Sequence, residues 1–158
     1  MKYRFTNVAL FGALCLVCTQ VGHTRLLENW PYEKLIKNSD LVVIAETVRI
    51  EPTKDTLSVP GWKEIDWAGR NTVFKVKSVI KGKAEKDQVT VLHFRINRVR
   101  GVLLINGPLL ANFKEKQEYL LFLRKRQDGR FELVSGQIDP VLAVRKISLP
   151  LHMIFDEK

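Results

Sequence analysis

A mainly β protein, built as a barrel of five strands with one short N-terminal helix and long connecting loops, is what this 158-residue chain predicts. Three observations carry that expectation. Thr72 to Ile80 alternates apolar and basic residues, the period-two pattern of a strand with one buried face. Leu41 to Ile50 and Tyr119 to Leu123 are apolar runs of strand length, each bounded by turn residues. Between such runs lie stretches rich in Pro and Gly with no periodicity, which read as loops.

The elements follow in chain order. Lys2 and Arg4 precede an uncharged apolar run, Val8 to Val17, as in a secretory signal peptide occupying residues 1–22. No small-x-small cleavage triplet follows, so a lipid anchor at Cys15 or Cys18 and an uncleaved N-terminal element stand as alternatives. Residues 23–158 then form a single exported domain, periplasmic or secreted, with no mature transmembrane helix. Both cysteines lie in the leader, so the mature domain has no disulfide, thiolate metal site or cysteine nucleophile.

Asn29 caps a predicted helix over Pro31–Lys37, where proline suits the first turn. Leu41 to Ile50 is the first strand, with its second half predicted to point Val48 and Ile50 inward and Thr47 and Arg49 outward. Glu51 to Gly69 reads as a long loop holding Trp62 and Trp67. Those tryptophans either fold back as a lid on the core or form an exposed recognition loop. In Thr72–Ile80, Phe74, Val76 and Ile80 are expected to face the core. A turn at Lys81–Lys86 leads to a strand over Asp87–Ile96, whose apolar phase shifts between Val91 and Phe94, as at a bulge. Asn97 to Phe113 is apolar but broken by glycines and a proline, and reads as a hairpin, a covering loop or a partner-binding patch. The strand at Glu118 turns at Gln127–Gly129 and returns over Arg130–Val134; Val141–Ile147 is a last strand or short helix.

Charge is uneven. The net is +9, and residues 70–100 alone carry nine Lys and Arg against two acids. Lys75, Lys77, Lys81, Lys83, Arg95, Arg98 and Arg100, with Arg70 and Lys86, lie on one predicted hairpin and its flanks. The plain reading is a solvated basic face, and the sharper one is attraction to anionic polymers or lipid headgroups. Nucleic acid is not expected of an exported protein.

Catalytic patterns are missing. His23, His93 and His152 have no metal-ligand spacing, and Gly82, Gly101 and Gly107 form no phosphate loop. Ser135-Gly136 lacks the preceding glycine of a nucleophile elbow. Glu64 and Asp66 are close in sequence and could bind a cation or act as an acid/base pair, but they lie beside Lys63 in the predicted loop. The chain therefore reads as a non-enzyme without cofactor or metal.

The blocks S-D-L-V-V-I-A-E-T-V (Ser39–Val48), T-V-F-K-V-K-S-V-I-K-G (Thr72–Gly82) and E-Y-L-L-F-L (Glu118–Leu123) resemble exported bacterial proteins similar to netrin-like domains and tissue inhibitors of metalloproteinases. The resemblance spans Pro31 to Gly136 and implies an OB-type barrel. Those inhibitors place an N-terminal cysteine amine on the target's zinc, which a mature chain without cysteine cannot do. What remains is a binding module that engages a protein partner through loops 51–69 and 97–113, with Trp62 and Trp67 as candidate contacts. The alternative is a binder of anionic polymers or headgroups through the basic hairpin.

Overall fold

The structure, a computed structural model, describes residues 30–101 and 107–148. The predicted leader, the Asn29 cap, His23, His152 and the last ten residues lie outside them. A helix α1 (Tyr32–Asn38) precedes the strands β1 (Leu41–Pro52), β2 (Ile65–Lys81), β3 (Gln88–Val99), β4 (Glu118–Lys125) and β5 (Phe131–Leu133). A 3₁₀ turn over Val141–Ala143 then feeds a short β6 (Val144–Lys146), so the last segment is both helical and extended. The sheet order is β1-β2-β3-β5-β4-β6, and β1 also pairs with β4, which closes a ring through five strands. No helix among the described residues is long and apolar enough to cross a membrane.

β4 is enclosed because its sequence leaves it no polar face. Tyr119, Leu121, Phe122 and Leu123 are buried, and Leu120 is half-buried. Leu41 to Glu46 of β1 pair antiparallel with Leu123 to Glu118. At the other edge, β5 pairs with Leu123–Lys125 and β6 with Tyr119–Leu121. Inside the ring, Phe74 and Tyr119 flank Phe113 edge-to-face at centroid distances of 5.0 and 5.2 Å. The Tyr119 hydroxyl accepts the Lys114 N–H at 3.0 Å, so the ring's polar end is also satisfied.

Bulges overturn two inward assignments. Thr47 pairs with Phe74 and Arg49 with Val73, which leaves Val48 as the extra residue. Thr47 is buried in phase with Val43 and Ala45 and Val48 is 41% exposed, so that only beyond the bulge does Ile50 return inward. On β2, Lys81 faces Val42 and Val79 faces Val43, so Ile80 is the extra residue and stands 57% exposed rather than in the core.

The phase shift in β3 has another cause. From Trp67↔Ile96 to Lys75↔Gln88 the β2–β3 ladder runs without interruption, so no bulge lies between Val91 and Phe94. Both faces of the strand are covered instead. Val89 and Val91 join the ring's interior cluster, while Leu92 and Phe94 join a second cluster with Ile65 and Trp67. The expected 51–69 loop shrinks to residues 53–64, because β1 takes its start and β2 its end. It folds over the second cluster through Leu57, Val59 and Trp62. Gly69 permits this approach: a Cβ there would stand 2.6 Å from Thr53 Oγ1 and 2.7 Å from the Asp55 carbonyl oxygen.

Leu121→Ala is expected to lower unfolding free energy by about 2–5 kcal/mol in urea melts, from lost burial plus a residual cavity. Ile80→Ala, at the exposed bulge, should change it by less than about 0.5 kcal/mol. Equal losses would contradict the bulge assignment.

Candidate functional site

The β2–β3 ribbon has two unlike faces. Across the ladder, Ala68 opposes Arg95, Arg70 opposes His93, and Thr72 opposes Val91, so these six share one face. Asp66 opposes Arg98 while Trp67 opposes Ile96, which makes Asn97 an extra residue. That bulge returns Arg98 to the face Arg95 occupies, although three positions separate them. Arg100 extends the row: its N–H donates to the Glu64 carbonyl at 2.9 Å, and its guanidinium grips Asp66 at 3.0 Å through Nη2.

Arg70, Arg95, Arg98 and Arg100 thus stand together with Asp66, and Glu64 lies opposite Arg100 at the end of the row. Arg100 is held by Asp66, whereas Arg70, Arg95 and Arg98 have no carboxylate partner among the described residues. Arg95 and Arg98 are exposed. Arg70 is half-buried, and its Nε is enclosed without a hydrogen-bond acceptor. The opposite face carries Trp67, Phe94 and Ile96 under the chain's own loops.

The basic hairpin of the sequence therefore divides. Lys75 is exposed on β2, and Lys77 pairs with Glu46 at 2.7 Å. The Lys77 ammonium holds the Glu46 carboxyl below its usual range. Lys81 is occupied structurally, its Nζ donating to the carbonyls of Ile36 at 2.7 Å, Lys37 at 3.3 Å and Ser39 at 2.7 Å. Those are orphan acceptors at the C-terminus of α1, where a cation is also favoured by the helix dipole. Lys83 sits past the β2 end, far along the ribbon from the arginines. Trp67 is 9% exposed as a strand residue of β2, and half-buried Trp62 lies in the loop that covers the same cluster. In the second loop Ala111 and Phe113 are buried and Leu109 is 58% exposed; residues 102–106 lie outside the described residues.

Arg70 joins the site although sequence reasoning placed it only on the hairpin's flank. Alternation alone puts Arg98 and Arg100 on the face opposite Arg95, and only the bulge corrects this. The sequence signal for it is weak, since Asn97 merely tolerates irregular backbone.

His93 lies at the inner end of this face and is a buried strand histidine, 2% exposed. Its Nε2 is 2.8 Å from Thr72 Oγ1, its ring meets Phe113 edge-to-face at 4.9 Å, and its Nδ1 is enclosed without a partner. Burial pushes its pKa down to about 4, Arg95 and Arg70 add repulsion, and the Ala111 backbone opposes from outside hydrogen-bonding geometry. Folded protein thus binds fewer protons than unfolded protein between the ordinary histidine value and that level. The stabilisation is complete above pH 6.5 and is lost as pH falls toward 4. Between pH 6.5 and 4.5 the wild type should lose about 2–3 kcal/mol more than His93→Gln in denaturant titrations.

Other charge clusters are self-contained. Arg130 forks onto Asp55 at 2.7 and 2.8 Å, and also donates to Asn71 Oδ1 at 3.0 Å and Asp128 at 2.7 Å. Hydrogen bonds from Arg130 and Thr53 drive the Asp55 carboxyl far below its usual range, and Arg130 holds Asp128 at about 2. This network ties the 53–64 loop to the β4–β5 turn. Of Glu64 and Asp66, the Asp66 carboxylate is engaged by Arg100. Among the described residues no group of histidines and carboxylates is placed to hold a metal ion. No protein-family model matches this chain, and no curated protein matches it.

Proposed function

We propose that this protein is a non-catalytic binding module, an exported OB-like barrel akin to the netrin-like domains, that engages an anionic polymer through the arginine face of its β2–β3 ribbon. The ring order β1-β2-β3-β5-β4, with a helix before β1, supports the OB-like reading. One observation carries the ligand class: among the described residues, three arginines without carboxylate partners share a face with a fourth, which Asp66 holds. Guanidinium groups suit forked contacts to carboxylate, sulfate or phosphate oxygens. Among the described residues no exposed aromatic ring stands on that face, which weighs against stacking single-stranded bases. Among the described residues no exposed large apolar side chain stands there to enter a bilayer, which favours a polymer over headgroups.

Retention on immobilised heparin should fall steeply with salt, and Arg95→Gln/Arg98→Gln should weaken it at least about tenfold at low salt. Lys83→Gln/Lys86→Gln removes equal charge from the other end of the ribbon and should weaken it far less. Equal losses would mean general charge attraction and no site. A second reading, a protein partner at the 51–69 and 97–113 loops, draws on the exposure of Leu109.

Export rests on the Lys2–Val17 pattern. Edman sequencing of protein secreted by an expressing cell should start near residue 23, and a start at Met1 would refute cleavage.

A further inference from the structure

A groove of about 460 Å³ opens where the ring is most weakly joined, between the β2–β3 and β4–β5 turns. β3 and β5 meet there through a single parallel pair, Val91 with Phe131. Half-buried Phe131 gives the groove its apolar floor, with the almost fully covered Leu41 and Val89 beneath it, and its rim is charged.

The state of each rim charge decides what the groove accepts. Glu85 Oε1 accepts from Lys125 Nζ at 2.7 Å, and Asp40 Oδ2 accepts the Lys125 N–H at 2.7 Å. Asp128 Oδ2 accepts from Arg130 Nη2 at 2.7 Å. All three rim carboxylates are therefore engaged, and so are Lys125 and Arg130. Lys83 and Lys86 remain, without a hydrogen-bonded or ion-paired partner among the described residues. Both lie near enough to Glu85 to favour its ionised form, yet its hydrogen bond goes to Lys125.

We propose that this groove binds a small organic anion with a flat apolar body. The anionic group meets Lys83 and Lys86, and the hydrocarbon lies over Phe131 and Val89. Neither half suffices alone: an exposed ion pair contributes at most about 1 kcal/mol, and the floor is small. A ligand carrying both gains from charge and burial together, and it links the two sides of the single-pair seam. The site is independent of the arginine face, which lies toward the far end of the same ribbon.

The test titrates the full chain with 2-naphthoate, following backbone amide resonances at neutral pH. Saturable shifts centred on Val89, Thr90 and Phe131 are expected, with a Kd below about 1 mM. Acetate, which lacks the apolar body, and 2-naphthol, which lacks the charge, should each bind at least about tenfold more weakly. Lys83→Gln/Lys86→Gln alters exposed side chains and should cost a similar factor, whereas Arg95→Gln/Arg98→Gln should bind as the wild type does. The proposal is overturned by shifts centred elsewhere, by 2-naphthol binding as tightly as 2-naphthoate, or by full binding in the double-lysine variant. Absence of saturation below about 10 mM would also overturn it.

Discussion

The antiparallel seam between Leu41–Glu46 and Glu118–Leu123 is the constraint on which the rest of the fold depends. It turns a meander of β1, β2 and β3 into a ring, because β4 carries β5 on its other edge and β5 touches β3. Five successive apolar side chains can be placed only where both strand faces are covered, and a closed ring with α1 outside it covers both. With neighbours on both edges and apolar cover on both faces, the Tyr119–Leu123 run of β4 has no surface left for chemistry. Recognition falls to what projects beyond it.

What projects is shaped by bulges. Extra residues at Val48 and Ile80 turn apolar side chains out to solvent, and the one at Asn97 aligns Arg95 with Arg98. The physical basis is the same each time: two residues oppose one, the bulged strand twists further, and the alternation beyond the bulge reverses. In β1 and the end of β2 the reversal lets long strands coil around a small ring. In β3 it gathers cations that strict alternation would have divided between two faces.

Basic residues that look alike in the sequence have different fates. Lys81 completes the C-terminus of α1, Lys77 neutralises Glu46, and Arg130 ties the 53–64 loop to the β4–β5 turn. These cations serve the fold. Among the described residues Arg70, Arg95 and Arg98 have no such ion-paired partner, and the aromatic residues on the reverse of their ribbon are spent on a second apolar cluster. The tryptophans followed the same logic, since Trp67 sits in β2 and half-buried Trp62 packs against the same cluster.

Much of this was legible in the order of residues. The β class, the short helix before β1, the β2–β3 hairpin and the buried strand at Tyr119–Leu123 all follow from local periodicity and turn residues, which act over a few positions. The concentration of cations between Arg70 and Arg100 is likewise a property of the sequence alone. Which face each residue occupies was not legible at Thr47, Val48, Ile80 and Arg98, because bulges depend on how a strand must coil to meet a distant partner. Nor was the fate of Lys81, whose acceptors lie 42 to 45 positions away. Local pattern determined the elements and where the charge lies along the chain. Tertiary pairing decided which charges the fold consumes and which it leaves facing outward.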